Sequence, residues 1–237
     1  IKKGVLPHQI LAVTFTNKAA KEMRERVTSL LYKDRDLNTP ISFSEKTPFV
    51  STFHSLGVHI LRENAGLIGL TRNFTIYDRS DSKSAVRSAI KDIGHDPKQI
   101  EPGKILSAIS RLKGDSICYE EFSAGAEEPR DRLIADIWEK YEMVLRIEKA
   151  LDFDDLLLRT VMLFEKKPEI LKRYQDAWKY IHIDEYQDTN KVQYQMARFL
   201  SRENKNICVV GDIDQNIYSW RGSDLRNILN FEKDYPN

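Results

Sequence analysis

The chain has 237 residues, 41% of them hydrophobic, enough to bury a core and to build one large domain or two modest ones. Thirty-seven basic residues against 36 acidic ones leave a net charge of +1, so no global field advertises nucleic acid and any basic binding surface is local. Two distant cysteines, Cys118 and Cys208, exclude a disulfide framework or a self-sufficient zinc site and favour a reducing, cytoplasmic compartment. No apolar run approaches the roughly 20 residues that cross a bilayer.

In chain order, the first element is a strand through ILAVTF, Ile10 to Phe15. It runs into NKAAKEMRERVTSLL, where Ala20, Met23, Val27 and Leu30 recur at helical spacing with Thr16 or Asn17 as N-cap. A loop through NTPISFSEKTP leads to a second strand in PFVSTFHS and a helix in LGVHILRENAG. Between Asn73 and Ala150 the periods become helical throughout. Val86, Ala89, Ile90 and Ile93 precede Gly94; Ile105, Leu106, Ile109 and Leu112 precede Gly114; Ile134, Ile137, Tyr141 and Val144 follow Pro129. GDSICYEEFSAGAEEPRD reads as the loop of this helical part. Further on, YIHIDEY and NICVVGD are apolar runs of strand length that each end in an acidic residue, with the helix KVQYQMARFLSR between them. Cys208 reads as a small buried residue of the second run. Alternation of strand, helix and strand predicts a parallel sheet covered by helices, formed by residues 1–72 and 151–237, with an all-helical insertion at 73–150.

Ligands of open parallel sheets gather at the carboxyl ends of the strands, where Asp184 and Glu185 end one strand and Asp212 ends another. Such carboxylates suit Mg²⁺, which keeps several waters and borrows phosphate oxygens, and a neighbouring Glu suits the activation of water. The plainer alternative is an acidic strand end facing solvent. Gln215, in a turn beyond the second strand, reaches a phosphate or merely stabilises its turn. Phe15, Thr16, Asn17 and Lys18 sit where a strand ends and a helix begins, so free N–H groups and a Lys favour a phosphate. Leu11, Val13 and Phe15 also alternate as core residues do. Thr52, Phe53 and His54 repeat the design on the next strand. Tyr218, Trp220 and Arg221 supply ring and guanidinium planes that stack on any base, or, for Trp220, a local hydrophobic plug.

DEYQDTN followed by VVGDIDQNIYSWRGSD resembles motifs II and III of the UvrD/Rep family of superfamily 1 DNA helicases. AVTFTNKAAKEMRERV resembles its motif Ia, STFHSLG its motif Ib, and LDFDDLL a further element ahead of motif II. The resemblance implies an α/β fold: part of a RecA-like, P-loop NTPase type domain, its parallel sheet flanked by helices on both faces, with an all-helical inserted subdomain. It also implies ATP and Mg²⁺ as cofactors. Asp184 would hold the metal through water, Glu185 would act as general base and share the metal site, and Gln215 would sense the γ-phosphate. Gln187 and Arg221 would contact the nucleotide. Phe15, Thr16, Asn17, Lys18, Thr52, Phe53, His54, Tyr218 and Trp220 would line the path of single-stranded DNA.

The phosphate-cradling loop G-x-x-x-x-G-K-[ST] does not occur in the 237 residues; the one Gly-Lys pair, Gly103-Lys104, is followed by Ile105 and has Lys98 at the place of the first Gly. The expectation is therefore of an excised piece of a 3′-to-5′ helicase acting on single strands and on single-strand/double-strand junctions, inactive alone and completed by a second RecA-like domain. Three alternatives stay open. One is a helicase subunit of a recombination helicase–nuclease complex. Another is a metal nuclease that uses Asp184, Glu185, Asp188 and Asp212 as a two-metal cluster. The third is an inert DNA-binding module.

Overall fold

The computed structural model describes residues 4–32, 47–215, 226–229 and 231–236, so most of the NTPISFSEKTP loop lies outside the described residues. The chain divides into two compact units: Ile1–Leu56 with Phe164–Thr189 and Gln193–Asn237, and Gly57–Leu163 with Asn190–Val192.

The first unit is built on a four-stranded parallel sheet: β1 (Ile10–Thr14), β2 (Phe49–Thr52), β5 (Tyr180–Ile183) and β6 (Ile207–Val209), in the order β2-β1-β5-β6. Leu11 lies opposite both Phe49 and Ile181, and Ile183 opposite Val209. Parallel strands require crossovers, and α1 (Asn17–Tyr32) and α9 (Lys191–Ser201) provide two of them. In β1 every residue from Leu11 to Thr14 is buried, the continuous pattern of a strand covered on both faces rather than the alternation read from Leu11, Val13 and Phe15. Arg24 of α1 donates to the Val50 carbonyl of β2 at 2.8 Å. Trp178, just past α8 (Pro168–Ala177), stacks on Tyr174 with centroids 5.2 Å apart and meets Phe49 at 5.3 Å.

Cys208 corrects the reading of NICVVGD as a buried run: it is exposed, as are Val210 and the residue opposite Cys208 across the ladder, His182. Among the described residues β6 is an edge strand, paired only with β5, so its side chains are not enclosed on both sides.

The second unit is helical. Its elements are α3 (Arg79–Asp92), α4 (Pro102–Gly114), α5 (Tyr119–Ala124) and α6 (Pro129–Ile147), together with parts of α2 (Phe53–Glu63) and α7 (Asp155–Lys166); residues 73–150 lie within it. Sequence punctuation sets the helix ends. Asp78 makes a capping box with Asp81, Pro102 and Pro129 open their helices, and Gly94 takes a positive φ just past α3. The core is Val86, Ala89 and Ile90 of α3, Ile109 of α4, and Ile137, Trp138 and Tyr141 of α6. α5 lies inside the stretch expected to be a loop, because Tyr119 and Phe122 pack their rings on Trp138 at 6.1 and 5.7 Å and make a short helix worth ordering. A two-residue parallel pair, β3 (Thr75–Ile76) with β4 (Ala150–Leu151), joins the two ends of the helical span. At Gly57 a Cβ would stand 2.3 Å from the Leu156 carbonyl oxygen, so only glycine lets α2 approach α7 there.

The same unit holds a buried ionic cluster. Lys113 of α4, 1% exposed, donates to Asp152 at 2.7 Å and to Asp155 at 2.9 Å, and lies 3.3 Å from Glu142 of α6. Tyr141 donates to Asp152 at 2.9 Å, Trp138 to Glu142 at 3.0 Å, and Arg159 pairs with Glu142 at 2.6 Å. Burial alone would push the Lys113 ammonium down; the charges of Asp152, Asp155 and Glu142 overcome it and hold the group well above the ordinary lysine range.

Candidate functional site

All the acidic and amide residues singled out in DEYQD and GDIDQ stand at the carboxyl ends of β5 and β6. Asp184 continues β5, its N–H donating to the Val13 carbonyl at 2.9 Å, and Val210 continues β6 by donating to Ile183 at 2.8 Å. Between them the chain turns sharply. Glu185 has φ 54° and ψ 42°, the left-handed region, which costs a residue with a Cβ about 1–2 kcal/mol. Such strain persists only where the surroundings fix it, and here they do.

A 3₁₀ turn, Tyr186–Asp188, follows, and all three of its residues are buried. The Tyr186 N–H donates to the Val210 carbonyl at 2.9 Å. Gln187, 1% exposed, uses both ends of its amide: Nε2 donates to Glu185 Oε2 at 2.8 Å, and Oε1 accepts the Asp212 N–H at 3.1 Å. Gly211 makes this possible, since a Cβ there would lie 2.6 Å from Gln187 Oε1. Asp212 in turn accepts from the Asp214 N–H at 3.0 Å and from Gln215 Nε2 at 2.8 Å, so the exposed Gln215 side chain is tethered to the end of β6. Asp188, 7% exposed, keeps its Oδ1 without a partner; burial first, and then the Glu185 charge, raises its pKa above the ordinary carboxylate range. Among the described residues no three His, Cys, Asp or Glu side chains converge closely enough to hold a metal ion.

On the same edge of the sheet two strand ends repeat one local design. Thr16 caps α1 by accepting the Ala19 N–H at 3.1 Å, with Asn17 and Lys18 exposed in the first turn and Phe15 half-buried before it. Thr52 caps α2, accepting the Ser55 N–H at 3.2 Å and donating to Ser55 Oγ at 3.0 Å. The second strand ends at Thr52, earlier than PFVSTFHS suggests, and Phe53 and His54 belong to the first turn of the helix. Phe53 is 3% exposed and sits in the core, while His54 is half-buried. Thr14 and Thr52 are direct neighbours across the ladder, which brings the two capped helix starts side by side. Tyr218, Trp220 and Arg221 lie outside the described residues.

Three contributors went unread in the sequence. Gly211 was visible as the small residue between VV and D, but its partner was not. Thr189 and Asn227 carry no local signal: Asn227 Nδ2 donates to the Thr189 carbonyl at 3.0 Å and lies 3.3 Å from its hydroxyl, across a gap of 38 positions.

Residues 1–236 match the model of the UvrD/REP helicase N-terminal domain. The chain is 46% identical over 235 residues to the ATP-dependent DNA helicase PcrA of Staphylococcus aureus, and likewise to that of Staphylococcus epidermidis. These alignments cover 99% of this chain and 31% of each relative, so the chain spans about a third of the length of the curated relatives it matches. The chain belongs to the UvrD/REP helicase N-terminal domain family.

Proposed function

We propose that this chain is the ATP- and DNA-facing part of the first RecA-like domain of a cytoplasmic 3′-to-5′ DNA helicase, with residues 73–150 as its inserted helical domain. The observation that carries the reading is Glu185: a strained residue at the end of β5 whose carboxylate is held by the buried Gln187, which in turn binds Asp212, the residue that tethers Gln215.

The donor set fits a hard cation, because Asp184 and Glu185 offer only carboxylate oxygens. Mg²⁺ bound at Asp184 through water would neutralise phosphate charge. The rest falls to the chain's own groups. Glu185 accepts the proton of the attacking water while Gln187 fixes the direction of its carboxylate. Gln215, tied to Asp212, would sense the γ-phosphate and Arg221 would complete the nucleotide side, while the buried Gln187 serves the nucleotide through Glu185. Phe15, Thr16, Asn17, Lys18, Thr52, Phe53, His54, Tyr218 and Trp220 form half of a single-strand track, with Phe53 bracing it from within the core and a second RecA-like domain supplying the other half. Stacking and a few phosphate contacts make such a track tolerant of base sequence.

Fluorescence anisotropy with a labelled oligonucleotide tests this directly. Single strands should bind weakly, with a shallow salt dependence and little sequence preference, and Lys18→Ala should weaken binding. Lacking G-x-x-x-x-G-K-[ST], the 237 residues alone should not turn over ATP. DNA-stimulated turnover abolished by Glu185→Gln would contradict that, and Mg²⁺-dependent cleavage of the oligonucleotide without ATP would replace the helicase reading with the nuclease one.

A further inference from the structure

We infer that Asn227 is a positioning residue for the acidic strand end and acts on it through the turn Tyr186–Asp188. The inference deepens the proposed function, since it takes Glu185 and Gln215 as the groups being positioned.

The turn is fastened from two directions. Before residue 213, Gln187 bridges the Glu185 carboxylate and the Asp212 N–H, at 2.8 and 3.1 Å. After residue 225, the amide of Asn227 donates to the Thr189 carbonyl at 3.0 Å and to its hydroxyl at 3.3 Å, and that hydroxyl donates onward to the Tyr186 carbonyl at 2.7 Å. Asn227 is 7% exposed, and its amide nitrogen lies within hydrogen-bond reach of both the carbonyl and the hydroxyl of Thr189.

The helices that carry Asn227 onward are themselves anchored. Phe231, opening α11 (Phe231–Asp234), meets the Tyr186 ring edge-on with centroids 5.8 Å apart and packs on Tyr235 at 4.9 Å. Tyr235 shares a hydrogen bond with Ser201 of α9, and Tyr194 of α9 donates to Asp234. Asn227, in α10 (Arg226–Leu229), therefore pulls on the turn from a fixed base. A turn held at Tyr186 by Val210 and at Thr189 by Asn227 cannot shift without carrying Gln187 with it. Through Gln187 it would carry both the Glu185 carboxylate and the backbone of Asp212, to which Gln215 is tied. One small turn thus sets the positions of two strand ends, and Asn227 sets the turn.

Amide hydrogen exchange followed by NMR on the 237-residue chain provides the test, read at Asp212, whose N–H is bonded to Gln187 and not to Asn227. In Asn227→Ala the Asp212 amide should exchange about tenfold faster while the amides of β1 keep their rates. A purely structural Asn227 would accelerate exchange in α9, α10 and α11 and leave Asp212 alone. Thr189→Val removes the hydroxyl between Asn227 and Tyr186 but keeps the side-chain shape, and should give the same change in smaller measure. Unchanged Asp212 exchange in either folded variant overturns the inference. Global unfolding of both variants also counts against it, because the contact would then hold the whole unit rather than the strand end. Oligonucleotide affinity measured on the same samples keeps the two claims apart: a wild-type chain that binds no single strand would sink the helicase reading without altering the exchange result.

Discussion

Two short acidic stretches, LDFDDLL and IDEYQD, look alike on paper and end in opposite chemistry. In the helical unit, Asp152 and Asp155 are buried around Lys113, with Tyr141 and Arg159 completing the cluster, and each carboxylate is spoken for by a cation or a hydroxyl. At the end of β5, Asp184 and Glu185 are half-buried, Glu185 is held by a neutral amide, and the backbone between them is strained. A carboxylate paired with a cation in a dry core has its charge consumed and can only hold structure. One braced by a neutral amide is oriented without being paired to a cation by that contact.

Removing the cation should show the difference most strongly. Lys113→Met leaves three carboxylates without their ammonium and should cost about 3–5 kcal/mol, read by urea denaturation of the helical unit. Glu185→Gln keeps the shape of the other site and should change stability by no more than about 0.5 kcal/mol. Equal losses in the two variants would erase the distinction.

A middle-sized effect is expected at Gly211. Its replacement by Ala pushes a methyl against Gln187 Oε1, 2.6 Å away, and against the Ile228 side chain at 3.2 Å. Stability should fall by about 1–3 kcal/mol, and the melting temperature should fall with it. A fully tolerated Gly211→Ala would mean that Gln187 is looser than its two hydrogen bonds imply.

The smallest effect is a dependence on pH. Burial, and then the charge of Asp152, raises the Asp154 pKa to about 7, so the folded state keeps a proton that the unfolded chain has already released. Its stabilising contribution is therefore complete below the ordinary Asp range, near about pH 4, and is lost as the pH climbs to about 7. Asp155 runs the other way. Burial pushes it up, Lys113 and Arg159 outweigh this and bring it down, and its contribution is lost on acidification. Asp154→Asn should flatten the fall in stability between about pH 4 and 7 in thermal melts.

The comparison also shows what the sequence could and could not carry. Strand and helix order was legible because apolar runs, periodicity and caps such as Thr16, Pro102 and Pro129 act within a few residues of one another. The acidic strand ends were legible because a run such as YIHI stops abruptly at Asp184. Lys113 was not legible: its partners lie 39 and 42 positions away, and nothing near it marks a buried lysine. α5 was missed because its helix depends on Trp138, and Cys208 because exposure at an edge strand depends on what lies beside that strand. Local rules reach local features; the ties that bind Gln187 to Gly211, or Asn227 to Thr189, belong to the assembled sheet.

The outward turn of Cys208 makes the molecule chemically addressable. Its thiol is open to solvent four residues ahead of Asp212, whereas Cys118 is half-buried and burial raises its pKa, leaving less of the reactive thiolate. A maleimide dye at neutral pH should therefore label Cys208 first, placing a single reporter beside the carboxylates without altering any residue that holds them.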